Sequence, residues 1–188
     1  MSMFSERRNR ERTKEVSEEW KQFDLFTELF PFEVGKKEMP FSDGVVLKID
    51  ITQAPDDNSS IPAIDYVLSL TLQKDQDSIF LHANVNIENN KGFVITNIRR
   101  TIDAQQERSL PEGIGVQLYT KFLDYLQQIA NSQNMIMRHQ IIAVPAKGMN
   151  WHKVFDPVIR EYGYRGPFSS SDEDEVYVKI YTPENKTA

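Results

Sequence analysis

Apolar and polar residues alternate with a period of two between residues 45 and 98, which is the period of a half-buried β-strand. The pattern covers four stretches, Val45 to Ile51, Tyr66 to Leu72, Ile79 to Ile87 and Phe93 to Ile98. Asn89-Asn90-Lys91-Gly92 suits a tight hairpin turn, because Asn and Gly tolerate a positive φ. We therefore predict four antiparallel strands that are joined mostly by short turns.

The period then changes to that of an α-helix. Apolar residues recur at helical spacing from Ile114 to Ile129, which predicts a helix that ends near Asn131. Three further elements follow. Gln140 to Val144 is predicted as a strand that Pro145 stops, and Val176 to Ile180 is predicted as a last strand. Between them, Trp151 to Tyr162 is predicted as a helix that restarts near Pro157, with Asp156 as N-cap, and that Gly163 ends.

The N-terminal residues are strongly charged and carry a thin apolar stripe. Val16, Trp20 and Phe23 stand at helical spacing within residues 5–24, which predicts an amphipathic helix. We therefore divide the chain into a charged helical arm at 1–24 and a single domain at 25–188. The basic start at Arg7 is either a site for an acidic partner or a solvated helix end.

Composition excludes several classes of function. The 188 residues carry a net charge of -6, so we expect no nucleic-acid partner. No apolar run approaches the ~20 residues that span a membrane, and the N-terminus lacks the apolar core of a signal peptide. The chain has no cysteine, and its three histidines are far apart, so we expect no metal site. A cytoplasmic location is the simplest interpretation.

The turn at Leu110 to Gly115 is the main candidate for ligand binding. Gly113 and Gly115 open the predicted helix, where backbone N–H groups are unpaired and the helix dipole favours an anion. Because glycine has no Cβ, phosphate oxygens can approach the amides of Ile114, Gly115 and Val116. A second interpretation stays open, because Ser109 and Glu112 have the spacing of a capping box.

The order of these elements resembles the GNAT superfamily of acyl-CoA N-acyltransferases over roughly residues 15–182. The resemblance lies in the Gly-Ile-Gly turn after four antiparallel strands, in Asn150, and in the Gly163-Tyr164 pair that ends the later helix. It implies an α+β fold with α/β/α layers and a mixed, mainly antiparallel central sheet. The strands at Phe93–Ile98 and Gln140–Val144 would splay apart and hold acetyl-CoA in the gap.

The resemblance also implies roles for individual residues. The pyrophosphate of acetyl-CoA would bind at Gly113, Ile114, Gly115 and Val116, with Asn150 near the cofactor. The strand edge at Thr96–Ile98 would polarise the acetyl carbonyl. The family usually has Arg or Gln where this chain has Leu110, and Pro111 removes one amide donor, so we expect Arg108 to supply the missing charge.

Catalytic residues are less well defined, because Ile159 stands where many family members have a tyrosine acid. Tyr162, in a shifted register, is the candidate acid. His82 is the candidate base, or else a packing or surface residue of its strand. The implied reaction transfers an acetyl group to a primary amine on a small molecule or a protein. The acidic run Asp172 to Glu175 would attract such an amine or form a solvated loop.

Two other functions stay open at this point. One is a catalytically inactive GNAT-like module that binds CoA or another protein, which the departures at Leu110, Pro111 and Ile159 favour. The other is a small α+β interaction protein whose helix starts with Gly-Ile-Gly. We also expect that apolar sheet edges favour a homodimer.

Overall fold

The computed structural model describes residues 16–31, 33–54, 65–101, 108–143, 154–169 and 175–184. The helices that lie wholly in these residues are α1 (Glu18–Gln22), α2 (Leu25–Leu29), α3 (Ile114–Ser132) and α4 (Asp156–Glu161). The strands are β1 (Gly35–Pro40), β2 (Val46–Gln53), β3 (Tyr66–Lys74), β4 (Asp77–Glu88), β5 (Lys91–Thr101), β6 (Ile136–Ala143), β7 (Arg165–Ser169) and β8 (Glu175–Tyr181).

All eight strands form one sheet in the order β1-β2-β3-β4-β5-β6-β8-β7. Every neighbouring pair is antiparallel except β5 and β6, which are parallel. The predicted α+β class with a mainly antiparallel sheet is confirmed, and the four predicted strands correspond to β2 through β5. The β4–β5 hairpin is also confirmed, because Glu88 pairs with Lys91 and both loop residues, Asn89 and Asn90, have positive φ.

The strands at the two edges of the sheet were not predicted. The side chains of β1 alternate poorly, since five of its six residues are exposed, so its sequence carries no signal of a buried face. β7 contains Gly166-Pro167, a pair that is typical of turns. The β1 edge carries Lys36, Lys37 and Glu38, so it is charged rather than apolar, and such charges oppose edge-to-edge association.

The helices cover one face of the sheet. α3 packs on β4 so closely that a Cβ on Gly115 would lie 3.0 Å from Ile79 Cδ1. On the outside of α3, Lys121 Nζ lies 5.6 Å from the ring of the buried Trp20 in α1. The ring of Phe155, next to α4, packs edge-on against Tyr119 of α3. α1, α2 and α4 thus all contact residues of α3.

The expected α/β/α layering differs from this arrangement. In the ranges that the structure describes, the four helices and the sheet form two layers. The opposite face, here called the outer face, carries exposed side chains such as Lys48, His82 and Arg138. These positions alternate with buried apolar residues along each strand, so the strands themselves show which face the helices cover.

The two short helices near the ends of the described chain differ from the predicted ones. Within the predicted helix at 5–24, α1 covers Glu18–Gln22 and begins at Ser17, whose Oγ accepts from Trp20 N at 3.2 Å. The predicted restart near Pro157 is confirmed, because α4 begins at Asp156. The prediction of Asp156 as N-cap is wrong, since Phe155 holds that place and Asp156 Oδ1 instead accepts from Tyr177 OH.

Candidate functional site

The parallel ladder between β5 and β6 ends before either strand does. It runs from Lys91 opposite Ile136 to Thr96 opposite Ile141. Beyond that point, β5 continues to Thr101 along β4, and β6 continues to Ala143 along β8. In the described residues the two strands are therefore unpaired with each other at their carboxyl ends. A crevice at the carboxyl ends of neighbouring parallel strands is a common ligand site in open sheets.

The amino end of α3 lies at the same end of the sheet, because α3 connects the carboxyl end of β5 to the amino end of β6. Gly113 is its N-cap, with φ 78°, and no side-chain hydrogen bond caps the helix there. The first i→i−4 hydrogen bond runs from Gln117 N to Gly113 O at 3.0 Å. The N–H groups of Gly115 and Val116 come before Gln117 in the chain, so they have no carbonyl acceptor within the helix.

The capping-box interpretation of this turn is wrong. Ser109 lies four residues before the N-cap, and its Oγ donates to the carbonyl oxygen of Lys74 at 2.6 Å. Glu112 is exposed and precedes the first helical residue, Ile114. The carboxylate of Glu112 therefore does not cap the start of α3.

The two glycines of the turn serve different purposes. Gly113 has a left-handed φ of 78°, and a Cβ added there would meet nothing within 4 Å. It is therefore a glycine because of its backbone conformation, and the space beside it is open. Gly115 lies against Ile79 of β4, so close packing of the helix on the sheet already accounts for it.

A buried carboxylate holds the chain that leads into the turn. Asp77, at the start of β4, is 2% exposed and forms a two-point ion pair with Arg100 of β5, at 2.9 and 2.5 Å. The same carboxylate accepts from the backbone N–H groups of Ser109 and Leu110, at 3.1 and 3.0 Å. Burial alone would raise the pKa of Asp77, but the Arg100 guanidinium and these two N–H groups outweigh it and lower that pKa.

A chain of buried hydroxyls and one imidazole lies under the last pair of the ladder. Thr96 Oγ1 is 2.7 Å from His139 Nε2 and 3.4 Å from Tyr119 OH. The other ring nitrogen of His139 contacts Tyr164 OH, which lies 2.8 Å from Tyr181 OH. All five side chains are less than 9% exposed, so each depends on the others for its hydrogen bonds.

Burial controls the protonation of this chain. It lowers the pKa of His139 to about 3, helped by the charge of Lys179, so the imidazole is neutral near pH 7. Burial also raises the pKa of Tyr119 and of Tyr164 far above the ordinary range of a phenol. The hydroxyls therefore stay protonated, and a neutral imidazole joins Thr96 to Tyr164. This hydrogen-bonded chain has no signature in the sequence, because its members are dispersed over four elements and a loop.

The structure places the other predicted residues of the cofactor site as follows. Ile98 lies on the helix-covered face of β5, two residues beyond the end of the β5–β6 ladder, and is 8% exposed. Arg108 is exposed and lies close before the turn in sequence. Leu110 is buried with its N–H on Asp77, so it packs rather than contacts solvent. Asn150 lies outside the described residues.

The predicted catalytic residues are not brought to the start of α3. His82 is exposed on the outer face of β4, where its Nδ1 is 3.3 Å from Ser69 Oγ. Tyr162 OH donates to Asp124 Oδ1 at 2.6 Å, and burial and this carboxylate raise its pKa well above the usual range. Asp124 lies ten residues after Ile114, which is about 15 Å along the helix. Ile159 is fully buried in the core.

Some properties of the described residues bear on partners. Within these residues, none of the helices combines the length and apolar character that are needed to cross a bilayer. The described His, Asp and Glu side chains form no group of three that could hold a metal ion. Comparison of the chain with protein-family models and with curated proteins finds no match.

Proposed function

We propose that this protein is a GNAT-like acyltransferase that transfers an acetyl group from acetyl-CoA to a primary amine. One observation carries the proposal: the parallel β5–β6 ladder ends at Thr96 and Ile141 while both strands continue, at the end of the sheet where α3 begins without a side-chain cap. An opening between strands suits a linear pantetheine arm, and a helix start suits a pyrophosphate.

The proposed binding mode uses backbone groups. The pyrophosphate lies at the amides of Gly115 and Val116, beside the open space at Gly113, and Arg108 supplies a positive charge. The pantetheine arm lies along the edge of β5 beyond Thr96, where its amides take the place of the missing β6 partners. Arg100 does not contribute, because Asp77 engages its guanidinium.

The proposed chemistry is direct transfer. The amine nitrogen attacks the thioester carbonyl carbon, the C–N bond forms, the C–S bond breaks, and the amine proton leaves to water. The departing thiolate takes a proton from water, because Tyr119 OH at the end of the ladder is fully buried and keeps its own proton. Tyr162 does not act as the acid either, because its hydroxyl donates to Asp124.

A thiol-release assay with acetyl-CoA and a panel of amines tests this function. We expect turnover with at least one amine, and we expect Tyr162→Phe to keep kcat within about twofold, because Asp124 engages the Tyr162 hydroxyl and this hydroxyl takes no part in the transfer. Thiol release that never exceeds the rate without protein, for every amine, contradicts the proposal.

A CoA-binding module without catalysis is the second candidate. It is favoured by Ile159, a fully buried aliphatic residue at the position of the family's usual acid, and by the engagement of Tyr162 with Asp124. The two functions differ in one result. Saturable binding of acetyl-CoA together with no turnover for the whole amine panel supports the module, whereas turnover excludes it.

A further inference from the structure

The outer face of the sheet differs sharply between its two halves. On β2, β3 and β4, the outer positions are mostly polar, as at Lys48, Ser69 and His82. On β8 they are Val176, Val178 and Ile180, and Ile180 is 60% exposed. Apolar side chains on an uncovered sheet face are unusual unless something binds there.

A groove of about 670 Å³ lies on this apolar half, a volume within the range of small-molecule sites. The groove, here called the β8 groove, contains side chains of β6, β7 and β8. Its lining includes Arg138, Gln140, Arg165, Phe168, Val178 and Ile180. Among its described lining residues, none is Asp or Glu, although the whole chain has a net charge of -6.

The two arginines stand on either side of β8. Arg138 pairs with Ile180 from the β6 side, and Arg165 pairs with Val178 from the β7 side. Their Cα atoms are two residues apart along the strands and two strand spacings apart across the sheet, which is a distance of about 12 Å. Two arginine side chains can bridge that distance. Directly opposed residues share a face, so both guanidinium groups extend from the outer face.

The charge of the arginines is not neutralised by the described residues. Arg138 lies over the ring of Phe93, 5.9 Å from its centroid, and neither arginine forms an ion pair with a described residue. Lys179 also lines the groove. Burial lowers the pKa of Lys179, whereas the carboxylates of Glu184 and Asp124 raise it and partly balance the positive charge of this lysine. The positive potential of the groove therefore comes mainly from the arginines.

The groove is polarised along its length. Its cationic end is at Arg138 and Arg165, and its apolar end is at Val176 and Phe168, where Phe168 is 53% exposed. A guanidinium pair selects a carboxylate by its fork geometry, and an adjacent apolar channel selects a hydrocarbon. We infer that the β8 groove binds a small amphipathic carboxylate, with its head at the arginines and its hydrocarbon tail along Val178 toward Phe168.

This inference is independent of the proposed acyl-transfer function. The opening lies between β5 and β6 beyond Ile141, whereas the β8 groove lies on the other side of β6, along β8 and β7. Binding in the groove can therefore be present or absent whatever the protein does with acetyl-CoA.

Isothermal titration with sodium octanoate, below its micelle concentration, tests the inference on the full chain. Octanamide, which has the same tail and no charge, and octylammonium are the comparison ligands. We expect saturable 1:1 binding of octanoate, at least about tenfold weaker binding of octanamide, and none of octylammonium. Equal affinity for octanoate and octanamide, or no saturable binding of octanoate, overturns the inference.

Substitutions locate the binding site. Arg138→Gln and Arg165→Gln should each weaken octanoate binding by about tenfold, and Phe168→Ser should weaken it by a few-fold. Arg99→Gln is the matched control, because Arg99 also lies over a phenylalanine of the outer face, Phe80, at 5.5 Å, outside the groove. Circular dichroism checks that each variant is folded. An equal loss in Arg99→Gln overturns the inference.

A membrane surface would use the same chemistry, so vesicles of anionic phosphatidylglycerol provide the last arm of the test. We expect the protein to stay in solution when such vesicles are sedimented, because a groove fits one ligand and a membrane needs a broad flat patch. Co-sedimentation that Arg138→Gln abolishes, together with no saturable octanoate binding, would assign the arginines to lipid headgroups and overturn the proposal.

Discussion

At the scale of single residues, two buried polar side chains define the candidate site. Asp77 connects β4 to Arg100 and to the turn before α3, while His139 connects β6 to Thr96 and Tyr164. Each is a titratable group taken out of water, so each must keep its partners or lose stability. Both therefore lead to predictions that involve protonation as well as packing.

Replacing Asp77 should be costly. Asp77→Asn removes the charge that pairs with Arg100, and we expect the free energy of unfolding to fall by about 2–4 kcal/mol, as measured in a urea titration. Glu38→Gln is the control, because Glu38 forms an exposed pair with Lys48 at 3.7 Å, and we expect a loss below about 1 kcal/mol. Equal losses in the two variants would show that the Asp77 network does not stabilise the fold.

The difference in unfolding free energy between the wild type and Asp77→Asn should change with pH in one direction. The pKa of Asp77 is lower in the folded chain than its ordinary 3.8, so its contribution is fully present above that value and disappears as the pH falls below it. The gap in stability between the wild type and Asp77→Asn should therefore narrow below about pH 4. A gap that stays constant down to pH 2 contradicts the lowered pKa.

His139 should make the protein sensitive to mild acid. Its pKa is about 3 in the folded chain and ordinarily 6.5, so the unfolded chain binds a proton that the folded chain excludes. The free energy of unfolding should therefore fall as the pH drops from about 6.5 toward 3, by up to ~1.4 kcal/mol per pH unit. His139→Gln should remove this slope between pH 6 and 4.5, as followed by urea titrations.

The exposed His82 gives the control for that experiment. His82→Gln, on the outer face of β4, should leave the slope between pH 6 and 4.5 unchanged. If His139→Gln keeps the full slope, the imidazole is not excluded from protonation, and the neutral chain from Thr96 to Tyr164 is wrong.

At the scale of elements, the start of α3 is the part of the site that depends on backbone conformation. Gly113 has φ 78° at the N-cap of α3, and Gly163 has the same φ after α4. A Cβ on either would meet no atom within 4 Å. The two positions therefore impose the same local cost on an L residue, and only one of them lies at the proposed pyrophosphate site.

This pair allows a matched experiment on stability and binding. Gly113→Ala and Gly163→Ala should each lower the free energy of unfolding by about 1–2 kcal/mol, the cost of a left-handed Ala. Only Gly113→Ala should also weaken acetyl-CoA, by at least about threefold in a calorimetric titration, because its methyl group fills the open space beside the first-turn amides. If Gly163→Ala weakened acetyl-CoA binding equally, the α3 turn would not be the binding site.

The elements also show what a sequence can predict. β2 through β5 and α3 were predictable because each buries one face and so carries a clear period in its apolar residues. β1 and β7 carry no such period, since β1 is exposed and β7 contains Gly166-Pro167. The layering was not predictable either, because apolar spacing identifies the buried side of a helix but not the sheet face that it covers.

The candidate site was likewise predictable from the sequence only in part. The glycine turn is local, so its positive φ and its helix start could be inferred from adjacent residues. The Asp77 network and the His139 chain join residues that are 32 and 43 positions apart, and the residues between them give no sign of the contact. The roles expected for Tyr162 and His82 came from family resemblance, and in this chain Tyr162 bonds to Asp124 while His82 lies on the outer face.

At the scale of the whole molecule, one open sheet carries two separate candidate places for ligands. The helices cover one face, the β5–β6 ladder opens at the end where α3 begins, and the β8 groove lies on the opposite face. The proposed function depends on the first of these, where acetyl-CoA is proposed to bind between β5 and β6 with its pyrophosphate at α3.

An amide NMR titration of the full chain with acetyl-CoA tests that claim most directly. We expect saturable shifts, with a Kd below ~1 mM, that are largest at Gly113, Gly115 and Val116 and along β5 from Asn97 to Thr101. Residues of β1 and β2, at the far edge of the sheet, should not shift. No binding at ~1 mM acetyl-CoA, or shifts confined to residues away from α3 and β5, would contradict it.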